Sequence, residues 1–461
     1  MNEVDIILIT APSPHPLSML SHRVQGLPPL GLCYIATYLK QNGYKVKILD
    51  FSIRKVTLFD LDEVMQNNHP KLIGISTTTE TYNCGMRIAK YIKEKNAATT
   101  VFMGGCHVTY EYEDALNSGV VDIVSRNEGE ITTKELCDLY INNIGSLQEI
   151  DGISYIKDGV IVSNQDRKFI ENLDSLPIPD RSFFDIKEYG IPASISTSRG
   201  CPGQCIFCAA SGLSGGRYRR RSAESIIEEI KYLIDLGFHH IQFVDDTLTA
   251  DLKRLHQVLD MIIEQELNIT FVCESRVDIV TFELLEKLKK AGCKMIQYGV
   301  EAGSQEMLDC LKKNITMEQI LRVFEWCNQL EIQTASCLII GQPYDTHKTI
   351  QDTINIALKL QELGARIVFS ISTPYPGTYM YNHTDEFGIK IVDHDFDNYT
   401  TQTAVYDSKN LTAKQIHNLF FQAYYALNKV QPPENIKKYR NMMKIRQEDY
   451  LHDFGRPSAV L

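Results

Sequence analysis

Short β-rich runs alternate with amphipathic stretches along most of the chain, and the alternation stops near residue 385. In the first third, apolar runs at 4–10, 45–50, 72–76, 99–103 and 120–124 predict strands. Between them, helical spacing of apolar positions predicts helices over 31–42, 58–67, 82–95 and 111–118. This series predicts an α/β domain over 1–145, a doubly wound parallel sheet of the flavodoxin or Rossmann kind. Its crossovers should be right-handed and its ligands should sit beyond the carboxyl ends of the strands. Residues 146–192 read as a connector, with a hairpin turning at Lys157-Asp158-Gly159 and a stiff Leu176-Pro177-Ile178-Pro179. Over 193–384, strands at 194–198, 240–244, 270–274, 295–300, 334–340 and 366–372 alternate with helices at 222–236, 251–265, 280–291, 304–330 (broken) and 346–362. Six β/α units predict an incomplete barrel, with chemistry at the strand C-termini. The remaining 385–461 predicts a mainly helical extension, with a helix from Thr412 to about Asn428 carrying Ile416, Leu419, Phe420, Ala423, Tyr424 and Leu427 at helical spacing. That stripe reads as core-facing, and the density of Tyr, His and Phe makes the tail the expected substrate cap.

Composition adds limits rather than detail. With 461 residues, 44% hydrophobic and 23% charged, the chain is globular and long enough for two domains and an appendage. A net charge of −11 argues against a nucleic-acid partner. No basic start with a long apolar core precedes Val4, and no apolar run approaches a membrane span, so a cytoplasmic protein is expected. Nine of the twelve cysteines are scattered, as in a reducing compartment.

The other three stand together in Arg199-Gly200-Cys201-Pro202-Gly203-Gln204-Cys205-Ile206-Phe207-Cys208. Such spacing suits three thiolates held on one tight loop around a soft-metal cluster. A four-iron cluster takes four ligands, so a loop supplying three leaves one iron open to a small molecule. Structural zinc is the rival reading, but no Cys or His between Cys208 and His239 completes it. A disulfide would leave one cysteine of the three over.

This loop resembles that of the radical S-adenosylmethionine (SAM) superfamily. The resemblance implies a [4Fe-4S] cluster on Cys201, Cys205 and Cys208, whose open iron chelates SAM and passes it an electron. It further implies SAM contacts from Phe207, from Asp245 and Asp246 at the methionyl ammonium, from Ser275 and Arg276 near the carboxylate, and from Glu301 and Ser304 at the ribose or methionyl part. Four of these have a structural alternative: core packing for Phe207, an Arg276–Asp278 pair for Arg276, and a protein cation for the adjacent carboxylates Asp245 and Asp246, which repel and are costly to bury unpaired. Arg217, Arg219, Arg220 and Arg221 read as a solvated face, or as a run of which one holds an anionic substrate. Ser222 reads as the N-cap of the helix that follows.

Loops after the strands of the first domain carry Pro28-Pro29-Leu30-Gly31-Leu32, Ser76-Thr77-Thr78-Thr79, Gly104-Gly105-Cys106-His107-Val108-Thr109 and Asn127-Glu128-Gly129-Glu130. Together they resemble the cobalamin-binding domain found ahead of many radical SAM enzymes. The resemblance implies cobalamin contacts from Leu30, Thr77, Thr78, Gly104, Gly105, His107, Glu128 and Gly129. Two positions depart from the family pattern: Cys106 stands where proline is usual and Asn127 where glycine is usual. The D-x-H-x-x-G signature is absent, which implies cobalt without a protein imidazole. A doubly wound domain whose glycines and prolines only shape turns remains the plainer alternative.

What the resemblance implies as a whole is a cobalamin-dependent radical SAM enzyme, most simply a methyltransferase at an unactivated carbon or a phosphinate phosphorus of a biosynthetic intermediate. One SAM would methylate Co(I), and a second would give the radical that takes hydrogen from substrate. Cyclisation, ring contraction, dehydration or deoxygenation on the same folds is the alternative, with a cobalamin-binding sensor as the non-enzymatic one. The implied partners are a small-molecule or peptide biosynthetic substrate and a single-electron donor such as flavodoxin or ferredoxin. No cysteine follows Cys337, so a second cluster in the tail is not expected.

Overall fold

The computed structural model describes residues 4–14, 26–53 and 56–428, which fall into two compact units. One holds the described residues up to Ile170 together with Ser175–Pro192; the other holds Glu171–Asp174 and 193–428.

In the first unit β1 (Ile6–Thr10), β2 (Val46–Asp50), β3 (Leu72–Ser76), β4 (Thr100–Gly104) and β5 (Ile123–Ser125) are parallel, in the order β2-β1-β3-β4-β5. Ile6, Ile7, Leu8 and Ile9 are all buried because helices cover both faces. On one face Leu32, Ala36 and Leu39 of α1 (Leu30–Gln41) join Leu136 and Cys137 over Ile6, Leu8 and Leu72. Three findings differ from the sequence reading. The hairpin β6 (Ile153–Lys157) and β7 (Val160–Ser163) is not a free connector: it extends the same sheet antiparallel from β5, with Val124 opposite Ser154. Its driving force is burial, since Ile153 and Tyr155 complete the core that contains Ile6 and Leu8. Asp158 and Gly159, both at positive φ, form its turn as expected. The helix predicted at 111–118 begins earlier and breaks at Glu111, giving Cys106–Tyr110 and Tyr112–Asn117. A further helix, Glu130–Tyr140, has no counterpart among the predicted elements, because the Thr132-Thr133 pair lowers helix propensity in its first turns.

The second unit is a parallel sheet of β8 (Ser194–Ile195), β11 (His240–Phe243), β12 (Thr270–Ser275), β13 (Cys293–Glu301), β14 (Gln333–Ile340) and β15 (Arg366–Ile371), paired in that order. The first predicted strand is shorter than expected. It stops at Ile195, and β9 (Ser198–Arg199) pairs instead with β10 (Arg219–Arg220), bracketing the cysteine loop. Helices at Ala223–Asp235, Leu252–Glu264, Phe282–Lys290, Met317–Gln329 and His347–Glu362 separate the strands. Ser222 caps the first of these by accepting the Ser225 N–H at 3.1 Å. The helix Ala413–Asn428 closes the described chain. Ile416, Phe420 and Ala423 are buried in the same core as the strands, and Tyr399 and Tyr406 are buried there too. The stripe is therefore spent on packing, and the expected cap role has only the less buried residues to draw on. Gly341 shows how close this helix comes: a Cβ there would lie 2.3 Å from Ile416 Cγ2. The rest of the predicted extension, 429–461, lies outside the described residues.

Candidate active site

The cysteine loop is anchored at its middle by Ile206, 1% exposed, whose N–H donates to the Leu311 carbonyl at 3.3 Å and whose carbonyl accepts the Met380 N–H at 3.0 Å. At its start, Gly200 sits at φ +91°, and a Cβ there would lie 2.2 Å from the Arg217 carbonyl oxygen, so no other residue fits. A Cβ on Gly203 would meet Cys201 Sγ at 3.4 Å, Arg276 Nη1 at 3.5 Å and Cys205 Sγ at 3.9 Å. Two thiols and a guanidinium thus gather on one side of that glycine. Cys201 Sγ also lies 3.3 Å from Thr247 Oγ1.

Burial pushes the Cys208 thiol up to about 11. Burial raises Cys205 as well, while the positive charges of Lys313 and Arg276 pull it back. Thiols in this state ionise when a cationic centre arrives, which is the condition a cluster meets. Among the described residues no three or more His, Cys, Asp or Glu converge as one metal ion would require.

Strand parity decides which predicted residues face the barrel interior. Phe243 and Phe271 stack edge-on at 5.2 Å under the helices Ala223–Asp235 and Leu252–Glu264, with Ile226, Leu255 and Val258 around them. Residues one place along point the other way. Hence Asp246, Glu274 and Arg276 face inward, while Asp245 and Ser275 turn toward the helices. Asp245 is 2% exposed and accepts from Thr197 and Ser198; Ser275 Oγ is 2.8 Å from Thr249 Oγ1. Ser304 caps the helix Gln305–Cys310, and Phe207 packs against the barrel core. Of the residues that the resemblance linked to SAM, Asp246, Arg276 and Glu301 are the ones gathered at the strand ends beside the loop.

Arg276 makes two 3.0 Å bonds to Asp278 and donates to the Lys313 carbonyl at 2.7 Å. Glu301 stands at φ +68° beside a bulge between β13 and β14. Its carboxylate pairs with Lys313 at 2.8 Å, and both side chains are 9% exposed. Gly299 makes room for that pair, since a Cβ there would lie 2.2 Å from Glu301 Oε1 and 2.7 Å from Lys313 Nζ. Glu274 accepts from Gln297 at 3.1 Å and is pushed up to about 7, first by burial and then by Asp246 and Glu301. Sequence reasoning passed over both Lys313 and Glu274. Lys313 sits in Leu311-Lys312-Lys313-Asn314, which reads as a solvated stretch, but inward parity with Arg276 could have found Glu274. The arginine run is divided: Arg217 pairs with Glu171 at 2.7 Å, Arg220 with Asp251, while Arg219 and Arg221 are buried.

In the first unit the loops predicted to meet cobalamin do meet at the carboxyl ends of β1, β3, β4 and β5. Gly105 is at φ +107°, and a Cβ there would strike the Thr77 carbonyl oxygen at 2.2 Å. Thr77 in turn donates its N–H to Gly104 at 2.9 Å. The glycine pair therefore serves the approach of one loop to the next. Thr78 is exposed on the same rim, and Leu30 begins α1. Gly129 lies against Ile35, and Glu128 accepts the Ile170 N–H at 2.7 Å. Asn127 has φ +62°, which explains a position where glycine is usual, because asparagine tolerates this region best among side-chain-bearing residues. His107 is fully buried, 3.3 Å from Thr79 Oγ1 and 4.3 Å from the Tyr82 ring, and burial pushes it down to about 4. It is neutral and packed inward, and so is not a free ligand on the rim.

Residues 195–357 match the radical SAM superfamily, and residues 18–137 match the B12 binding domain. A protein of Pyrococcus horikoshii named an uncharacterised methyltransferase is 32% identical over 432 residues, 92% of each chain. The anaerobic magnesium-protoporphyrin IX monomethyl ester cyclase of Rubrivivax gelatinosus is 27% identical over 394 residues, 82% of this chain and 69% of that one. Among solved structures, the radical SAM methyltransferase TsrM of Kitasatospora setae, with cobalamin and a [4Fe-4S] cluster bound, aligns with a TM-score of 0.74. It covers 93% of this chain and 89% of that one at 16% identity, a likeness of fold. No helix among the described residues is long and apolar enough to cross a membrane.

Proposed function

Because this chain belongs to the radical SAM superfamily, among the members that carry a B12-binding domain, we propose that it is a cobalamin-dependent methyltransferase acting on an unactivated carbon or a phosphinate phosphorus of a biosynthetic intermediate. The observation that carries this reading is full-length similarity to a relative named a methyltransferase, joined to a cysteine trio on a loop shaped by Gly200 and Gly203. When bound, the cluster supplies the electron that splits SAM and cobalamin supplies a methyl carrier, chemistry that no side chain here provides.

The chain's own residues bind and orient. Cys201, Cys205 and Cys208 would hold three irons of the cluster. Asp246 offers the methionyl ammonium a carboxylate from the inner face of its strand, and Arg276 offers the carboxylate a guanidinium already aligned by Asp278. Glu301 reaches the SAM site from a strained backbone position, its charge balanced by Lys313. On the first unit, Leu30, Thr77, Thr78, Gly104, Gly105, Glu128 and Gly129 would form the rim for cobalamin, with His107 buried behind it against Thr79 and Tyr82. The substrate is a small molecule or peptide, a flavodoxin or ferredoxin is the electron donor, and the compartment is the cytoplasm.

Cyclisation or dehydration without methyl transfer is the second reading, favoured by the cyclase of Rubrivivax gelatinosus. Anaerobic reconstitution followed by iron and cobalt quantification and mass analysis of SAM products separates the two. Methyl transfer yields both S-adenosylhomocysteine and 5′-deoxyadenosine, and Cys205→Ala abolishes the latter. Abundant 5′-deoxyadenosine with no S-adenosylhomocysteine overturns methyl transfer; neither product overturns the radical reading.

A further inference from the structure

The turn that leads into the cysteine loop is held by buried charge from several sides. After β8 ends at Ile195, the chain passes through Ser196 and Thr197 before β9 delivers it to Gly200. Asp245, 2% exposed, accepts the Thr197 N–H at 3.0 Å, the Thr197 hydroxyl at 2.8 Å and the Ser198 hydroxyl, all on Oδ1. Arg254, 4% exposed on the helix Leu252–Glu264, donates to the Thr197 carbonyl at 2.6 Å and to the Tyr218 hydroxyl at 3.2 Å. Arg221, 5% exposed, donates its guanidinium to the Ser196 carbonyl at 3.2 Å and its backbone N–H to the Thr197 carbonyl at 2.9 Å. Arg221 is itself paired with the fully buried Glu229.

The two residues after Asp245 continue the same contact. The Asp246 carboxylate faces the Gly200 backbone amide, and Thr247 Oγ1 lies 3.3 Å from Cys201 Sγ. Three consecutive residues therefore touch Thr197, Ser198, Gly200 and Cys201 in sequence. A neutral turn would form this fold with less desolvation, so an aspartate and two arginines buried around it mark a place where direction matters.

We propose that Asp245 is a positioning residue for the cluster: with Arg254 and Arg221 it fixes the Ser196–Ser198 turn and so the direction in which Cys201 presents its sulfur. This rests on the reading of Cys201, Cys205 and Cys208 as cluster ligands. It also gives Asp245 a task distinct from Asp246, which faces the interior. Groups that orient metal ligands from behind are worth about 10- to 100-fold in metal retention when removed.

The test uses the full chain, reconstituted anaerobically with iron and sulfide. Asp245→Asn keeps the side-chain shape and removes the charge; it should lose iron to a ferrous chelator about 10- to 100-fold faster than wild type. It should also change the electron paramagnetic resonance signal of the reduced cluster, a readout that general destabilisation does not alter. Thr197→Val and Ser198→Ala, each removing one hydroxyl bond, should shift both readouts the same way by less. Wild-type iron release and an unchanged signal in Asp245→Asn overturn the proposal. Should Asp245→Asn fail to fold, wild-type behaviour of both hydroxyl variants overturns it, and accelerated release with an altered signal supports it. A wild-type protein that takes up no cluster overturns the ligand reading itself, a failure distinct from the others.

Discussion

Replacing Lys313 by Met should destabilise the barrel by about 3–5 kcal/mol, the usual cost of removing one partner from a buried ion pair. Lys313 Nζ lies 2.8 Å from Glu301 Oε1, with both side chains 9% exposed. Methionine keeps the length and apolar stem, so the change isolates the charge. At an effective dielectric of about 20, unit charges at this separation attract by roughly 6 kcal/mol before desolvation is subtracted. Loss of the cation leaves Glu301 at 7% exposure with the Glu274 carboxylate close enough to feel its charge. Against a total stability of about 5–15 kcal/mol, such a loss shows in any urea titration. The chain has a single tryptophan, Trp326, on the helix Met317–Gln329 of the second unit and edge-on to Phe282 at 6.0 Å. Its fluorescence therefore reports this unit without interference from the other. A double variant, Lys313→Met with Glu301→Met, should recover most of the loss, because two apolar groups carry no unpaired charge. A single variant within about 0.5 kcal/mol of wild type, or a double variant no more stable than the single, refutes the claim that the pair is shielded from water.

His107 and Glu274 give opposite pH signatures. Burial pushes His107 from 6.5 down to about 4, so its contribution is full above pH 6.5 and is lost as pH falls through about 4. His107→Gln should flatten the acid-side slope of the first unit in that window, read by hydrogen exchange over 100–125, and an unchanged slope refutes it. Glu274 is pushed from 4.5 up to about 7, so the folded state keeps its proton longer and stability falls as pH rises from 4.5 through 7. Glu274→Gln should match wild type near pH 4 and exceed it at pH 8 by up to about 3 kcal/mol in Trp326 fluorescence titrations; equal midpoints at pH 8 refute it.

The strand–helix alternation made both units legible, because parallel strands buried on two faces are short apolar runs that periodicity finds readily. Boundaries failed where tertiary bonds outweighed local preference. Thr197 looks like strand, yet its N–H and hydroxyl go to Asp245, and the strand ends three residues early. The hairpin's place in the first sheet was hidden because nothing in Ile153–Lys157 says which edge it will join. At the site, motif resemblance located the right strand ends but treated neighbours as equivalent. Asp245 and Asp246, like Ser275 and Arg276, point to opposite faces, a distinction that alternation could have drawn. Lys313 carried no local signal, since its partner Glu301 is twelve residues away and meets it only after folding.

The antiparallel hairpin has a practical bearing on dissecting the protein. A fragment stopping at residue 145, where the βα repeats run out, would leave the outer side of β5 bare, with Ile123 and Val124 next to unsatisfied amides. Such a piece is prone to self-association through that seam whatever its affinity for a corrin ring. Expression of the N-terminal half alone should therefore run at least through Ser163, and preferably past Ile170, whose amide is tied to Glu128.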